Sequence, residues 1–301
     1  MSLFLQSTYL SAALSLVYIY LLYRSHPHRR LPAAPTVLAF AAGMLAVSLV
    51  VAVRRVVPIA PIEAAASALF AAAAVEEVAK LLLALATIWR LRFPNVVEPI
   101  DVAILFGVLG VGFGIYEDFW YIFSATYTSW IAGDIGRFNE VFRGIVLARA
   151  FPGHILFNGI SGFLLGHALF AKRARRLSWI LAGLALAILL HAGFNWVAIN
   201  GEPPLLIAYV VGLVGLFLGL RRRLMARSPF AALIRRIESE EGEWTFDREP
   251  IEYLFADGFG WPGRRRGGLF QFYPVVLSLC VLFPLLLIAV YFVNRALLAL
   301  L

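Results

Sequence analysis

The sequence contains few charged residues and almost no cysteine. Only 15% of its 301 residues are charged, whereas 61% are hydrophobic. A soluble domain usually carries about 25% charged residues, so a soluble globular protein is excluded. A disordered chain is excluded too, because such chains are poor in apolar residues. The single cysteine, Cys280, excludes a disulfide framework and a cysteine-rich zinc site. An integral membrane protein remains.

Long apolar stretches predict an all-α, polytopic membrane protein with about eight transmembrane helices, since a span needs about 20 apolar residues. The predicted spans cover residues 3–23, 35–57, 62–89, 101–123, 147–171, 178–199, 204–220 and 272–294. We predict four regions along the chain: an N-terminal two-helix region (1–57), an intramembrane core built on four helices (58–220), a cytoplasmic segment that is both basic and acidic (221–271), and a C-terminal transmembrane helix (272–301).

The net charge of +8 follows from where the Lys and Arg residues lie. Cytoplasmic connections of membrane proteins carry an excess of these residues. If the N-terminus is outside, the inside connections hold 19 of the 26 basic residues and the outside set holds six. We therefore expect a plasma membrane protein with both termini outside. The orientation of the chain in the bilayer accounts for its basic net charge, so we expect no nucleic acid partner.

The third predicted span contains three ionisable residues in the stretch AAAAVEEVAKLLL. A charge near the bilayer centre costs at least about 2.5–3.5 kcal/mol, so such residues usually have a task. Glu76 and Lys80 are four residues apart, share a helix face and are expected to form an ion pair. Glu77 is then left to find a donor, a proton or a metal, and such a carboxylate is a candidate general base. A structural ion network is the alternative.

The fourth span contains a second acidic pair, Glu117 and Asp118, and Phe113 lies on the face of Glu117. Its glycines allow close packing of neighbouring helices. These are Gly107, Gly110, Gly112 and Gly114.

Two histidines each precede an asparagine by four residues, which places each pair on one helix face. His154 and Asn158 open the fifth span, and His191 and Asn195 close the sixth. Because successive spans alternate in direction, both pairs fall in the outer half of the membrane with Glu117. We therefore expect one polar pocket that opens toward the extracytoplasmic side.

These residue types suit the hydrolysis of a peptide bond, which needs an activated water, donors for the oxyanion and an acid for the leaving amine. Glutamate can serve as the base, and histidine and asparagine can serve as donors. The same residues suit zinc, which takes three protein ligands in catalytic sites, and spacing alone leaves both readings open. A proton- or ion-coupled transporter and a non-catalytic scaffold or immunity protein are the alternatives to an enzyme.

Four motifs in order resemble those of the PrsW family of intramembrane proteases, which is similar to the wider group of CAAX prenyl proteases and bacteriocin-processing enzymes. The motifs are EEVAK, GFGIYED, PGHILFNG and HAGFN, within about residues 60–200. The resemblance implies an endopeptidase that cuts a membrane-anchored protein, such as an anti-sigma factor, near the extracytoplasmic side.

The resemblance also implies roles for single residues. Glu76 with Glu77 would activate water, and His191 with Asn195 would form the oxyanion hole. Glu117 would orient the water or bind metal, and His154 would complete the cluster. The supporting residues would be Lys80, Phe113, Asp118 and Asn158. We expect no cofactor. If Zn2+ is present instead, the expected ligands are Glu77, Glu117, His154 and His191.

The chain departs from the family pattern in two places. Asp118 stands where the family usually has asparagine, and residues 221–301 lie outside the shared core.

Overall fold

The computed structural model describes residues 12–22 except 14, 33–56, 66–89, 98–134, 136, 139 and 153–228. These residues are helical almost throughout and contain no strand, as predicted for an all-α protein. Six helices follow in chain order: α1 (Ala33–Val56), α2 (Ala66–Ala84), α3 (Pro99–Ala132), α4 (Gly153–Phe170), α5 (Arg173–Asn200) and α6 (Pro203–Arg227). A π-helical turn, Leu85–Trp89, continues α2, and residues 12–13 and 15–22 are also helical.

Five of these helices are long and apolar enough to cross a membrane: α1, the first 21 residues of α3, and α4, α5 and α6. Helix α2 is not among them, because three of its 19 residues are ionisable. The predicted number of eight spans is not confirmed. The predicted span 272–294 and most of 3–23 lie outside the described residues.

Helix α3 is the centre of the bundle and packs most extensively against α4 and α1. Its apolar window is 89% buried, whereas the corresponding windows of α5 and α6 are 17% buried. The outer faces of α5 and α6 are therefore suited to contact with lipid. The predicted core of four helices is not confirmed, since α1 also packs against α3 and contributes to the site described below.

Two glycines of α3 permit this close packing. A Cβ atom on Gly112 would collide with the backbone carbonyl of Phe40 in α1, and one on Gly110 would collide with the carbonyl of His154 in α4. Small residues at such positions let helix backbones approach in membranes. Gly110 therefore lets the first turn of α4 pack directly on α3, next to His154.

The start of α3 is joined to the end of α6. The backbone N–H of Glu98 donates to Asp101 Oδ2 at 2.9 Å, which is half of a capping box. The hydroxyl of Ser228 donates to Glu98 Oε1 at 2.6 Å. Helix α6 continues to Arg227, so it runs past the boundary that we predicted at residues 220 and 221.

Candidate active site

Polar side chains from five helices meet in one cluster. They come from the end of α1, the middle of α2, the middle of α3, the start of α4 and the last third of α5. The contacts described below link five of the six predicted catalytic residues. These are Glu76, Glu77, Glu117, His154 and His191.

Lys80 pairs with Glu77, and the predicted ion pair between Glu76 and Lys80 is wrong. The Nζ atom of Lys80 lies 2.7 Å from Glu77 Oε1, and both side chains are completely buried. The spacing is three residues rather than four, which also places two side chains on one helix face. Nζ also lies 4.0 Å from the centroid of the Phe113 ring, a favourable position for a cation.

Glu77 receives three hydrogen bonds. Besides Lys80, His191 Nδ1 lies 2.8 Å from Oε1, and the Asn158 amide donates to Oε2 at 3.2 Å. A buried carboxylate needs this many donors to remain ionised. Glu77 therefore holds its neighbours in position, and neither of its oxygens is left without a donor.

The contacts of His154 determine which of its nitrogens carries the proton. An ammonium group has donors only, so His154 Nδ1, 3.0 Å from Lys80 Nζ, must accept. His154 Nε2 then carries the hydrogen and donates to Glu117 Oε2 at 2.8 Å. We assign this tautomer from the network of contacts.

The same reasoning gives His191 the opposite tautomer. Because Glu77 is an acceptor, His191 Nδ1 carries a hydrogen, and in the neutral imidazole Nε2 then keeps its lone pair. That nitrogen lies 3.7 Å from Glu76 Oε2, which is buried and has no hydrogen-bond partner among the described residues. Two acceptor atoms thus face each other across a gap, and this gap suits a proton donor or a cation.

Arg54 is a member of the cluster that the sequence analysis missed. Its Nη2 donates to Glu76 Oε1 at 2.8 Å, and its side chain is 37% exposed. We counted Arg54 among the outside residues that set the orientation. The signal available in the sequence was its place in the last turn of the predicted span 35–57.

Aromatic rings surround the histidines. Phe157 stacks on His191 with centroids 5.0 Å apart, and Phe113 meets His154 edge-on at 4.9 Å. The two histidine rings themselves meet edge-on at 4.9 Å. Phe113 and Phe157 are fully buried, so they keep the inner side of the site dry and strengthen its electrostatic interactions.

The remaining predicted residues have less defined places. Asn195 is half-buried one turn beyond His191, and its amide has no hydrogen-bond partner among the residues that the structure describes. Asp118 is half-buried in α3, next to Glu117. Asn158 is fully buried, and its Oδ1 atom has no partner within the described ranges.

Three residues could together hold a metal ion. Donor atoms of Glu76, His154 and His191 lie within 4.8 Å of one another. One carboxylate and two imidazoles form a typical catalytic zinc set, and the Oε2 of Glu76, which has no hydrogen bond within the described part of the chain, supplies a ligand atom. The residues therefore fit a metal, although His154 would have to release Lys80 or Glu117. The group contains Glu76, whereas we expected Glu77 and Glu117.

Comparison with known protein families matches residues 31–220 to the PrsW family, described as intramembrane metalloproteases. The chain belongs to the PrsW family. No curated protein and no solved structure matches it. PrsW membership makes the chain a membrane-embedded hydrolase and favours proteolysis over the transporter and scaffold hypotheses.

The PrsW description also bears on the cofactor. The expectation that no metal is required is not confirmed, because the family is described as metalloproteases and three donors converge in the structure. Zn2+, the alternative from the sequence, is plausible for this site.

Proposed function

We propose that the chain is an intramembrane endopeptidase in which Glu76 and His191 hold the attacking water. The observation that carries this proposal is the 3.7 Å gap between Glu76 Oε2 and His191 Nε2. Both atoms are acceptors, so a water molecule can donate one hydrogen to each and point its oxygen lone pair toward a substrate carbonyl.

The reaction then follows from the positions of the side chains. The water oxygen attacks the carbonyl carbon, and Glu76 Oε2 takes a proton. The half-buried amide of Asn195 donates to the oxyanion, the C–N bond breaks, and the proton passes to the leaving amine. Neutral His191 cannot donate to the oxyanion through Nε2, so we assign that role to Asn195 rather than to the pair.

Three other residues keep this arrangement in place. Glu77 orients His191 from behind through Nδ1, as a carboxylate does for many catalytic histidines. Lys80 neutralises Glu77 and fixes the tautomer of His154. His154 donates to Glu117, whose side chain is 16% exposed.

A metal ion is the alternative occupant of the same gap, and Glu76 Oε2 would then be a ligand and not the proton acceptor. Glu76, His154 and His191 would hold it, and Zn2+ supplies Lewis acidity to a substrate carbonyl. Glu77, which accepts from His191, and Arg54, which donates to Glu76, would then be hydrogen-bonding partners of two of these ligands.

For the substrate, we propose a membrane-anchored protein, such as an anti-sigma factor, that is cut near the extracytoplasmic side. The resemblance to PrsW enzymes and to the wider CAAX prenyl protease group supports this choice. The distribution of Lys and Arg supports a plasma membrane location with both termini outside. In that orientation the cluster lies in the outer half of the membrane.

The test is to compare the membrane proteins of cells that express the wild type with those of cells that express Glu76→Gln. Substrates should accumulate uncut in the variant, and the same substrates should be cut by the purified wild type in detergent. Glu76→Gln, Glu77→Gln and His191→Ala should each lower cleavage by at least about 100-fold, the usual contribution of a positioned acid or base.

Glu98→Gln is a matched control, because it neutralises another buried glutamate, at the opposite end of α3. It should cleave at a rate within a few-fold of the wild type. Full activity of all three site variants would refute the proposal. Uptake of a solute into proteoliposomes without any peptidase activity would favour a transporter.

A further inference from the structure

Arg54 contacts only one oxygen of Glu76. Its Nη2 atom lies 2.8 Å from Oε1, while Oε2 faces His191 Nε2 at 3.7 Å. Lys80 cannot take this place, because it already contacts Glu77 and His154. Within the described ranges, Arg54 is thus the cation that directly contacts Glu76.

We propose that Arg54 is a positioning residue that holds Glu76 Oε1 so that Oε2 is presented to a divalent cation between Glu76 and His191. This inference rests on the metal alternative of the proposed function, in which Glu76 Oε2 is a ligand and not the proton acceptor. Arg54 belongs to none of the four motifs on which the family resemblance depends.

The physical reason is that the two oxygens of a carboxylate are equivalent until a neighbour distinguishes them. A donor bound to Oε1 restricts rotation of the carboxylate and selects Oε2 as the ligand atom. Glu77 does the same for His191 by accepting the Nδ1 hydrogen. Each of the two facing acceptors is therefore held from behind by a partner, and such partners change metal affinity strongly.

The opposite role for Arg54 is that of a competing counter-ion. A guanidinium that merely neutralised Glu76 would have to leave when a divalent cation arrived, and its removal would tighten cation binding. The two roles therefore predict changes of opposite sign in the same measurement.

The experiment is a Zn2+ titration of the purified full chain in detergent against a chromophoric chelator. Arg54→Gln should bind Zn2+ about 10- to 100-fold more weakly than the wild type. Arg54→Lys keeps a charged donor and should recover part of this loss. Arg55→Gln is the matched control, because Arg55 is the next residue and its side chain is exposed. This variant loses the same charge, and its Zn2+ affinity should stay within about twofold of the wild type.

Equal or tighter Zn2+ binding by Arg54→Gln would overturn the proposal, as would a wild type that binds no Zn2+. If Arg54→Gln does not fold, the wild type is used instead. Its arginines are modified with phenylglyoxal, and mass spectrometry measures the rate of modification at each arginine. Zn2+ should slow modification of Arg54 relative to Arg55. An acceleration, or no change, would overturn the proposal.

These results are separate from those that test proteolysis. A wild type that cleaves its substrate while Arg54→Gln keeps its Zn2+ affinity would refute the role of Arg54 alone. If the wild type binds Zn2+, Arg54→Gln binds it more weakly and neither cleaves a substrate, the proposed protease activity is refuted. The role of Arg54 in cation binding is then retained.

Discussion

Replacing Lys80 by methionine should destabilise the protein more than any exposed charge substitution. Lys80 is completely buried, and its Nζ atom lies 2.7 Å from Glu77 Oε1. Methionine has a similar length and no charge, so it leaves the volume of the core nearly unchanged. The substitution therefore tests the charge itself, with little effect from a cavity.

The magnitude follows from what the Glu77 carboxylate loses. At 2.7 Å and an effective dielectric constant of about 20, the attraction between the charges is about 6 kcal/mol. Two donors remain on Glu77, His191 Nδ1 and the Asn158 amide, and they compensate in part. We expect a loss of about 3–5 kcal/mol in the free energy of unfolding, typical of a broken buried pair.

The assay is equilibrium unfolding in mixed micelles, followed by tryptophan fluorescence. Lys172→Met is a matched control, because this lysine is exposed at the start of α5, and it should change the free energy of unfolding by no more than about 0.5 kcal/mol. The double variant Glu77→Gln/Lys80→Met removes both charges and should be more stable than Lys80→Met alone.

A loss below about 1 kcal/mol for Lys80→Met would refute this reasoning. So would a double variant as unstable as the sum of the two single variants, since the energy would then not lie in the interaction between Lys80 and Glu77.

Three further predictions concern packing, metal content and turnover. Gly110→Ala should lower both stability and cleavage, because a Cβ there meets the carbonyl of His154, whereas Gly212→Ala has open space and should be neutral or stabilising in thermal unfolding. Elemental analysis should find about one zinc per chain in the wild type and a large deficit in His191→Ala, and equal zinc in both would contradict the ligand assignment. Asn195→Ala should lower the turnover number by at least about 100-fold while leaving Zn2+ affinity unchanged, and a loss of affinity instead would argue against an oxyanion donor.

The convergence of the polar residues could be predicted from the sequence, because their charge and their spacing both limit which helix faces can lie toward lipid. Glu76 and Glu77 cannot face lipid at low cost, and spacings of four residues place His154 and His191 on single faces beside their asparagines. Once the helices alternate in direction, these faces meet at the same end. The all-helical class follows with equal directness from the long apolar stretches.

The partners inside the cluster could not be predicted in the same way. Both Glu76 and Glu77 are close enough to Lys80 along the helix, and the choice of Glu77 depends on His154 and Phe113 from other helices. Arg54 reaches Glu76 across 22 residues of chain, and no spacing rule connects α1 with α2. Side-chain tautomers depend on such contacts, so they also appear only in the structure.

Helix ends were the least predictable part of the fold. Helix α6 continues through Arg221, Arg222 and Arg223 to Arg227, although a hydropathy pattern ends at the first arginine. Long arginine side chains can carry their charge to the membrane surface while the backbone stays helical. The π-helical turn after α2 has no composition signal, because its residues, LATIW, are ordinary helix or strand formers.

The length of α3 has a consequence for where a substrate can be cut. The helix runs for 34 residues, Pro99–Ala132, about 50 Å, which exceeds the hydrocarbon thickness of a bilayer, about 30 Å. A helix of this length has to tilt or to extend beyond the bilayer. Glu117 lies near the middle of α3, and His154 is 2.8 Å from it. The depth at which a substrate is cut therefore depends on how far α3 tilts and how much of it leaves the bilayer.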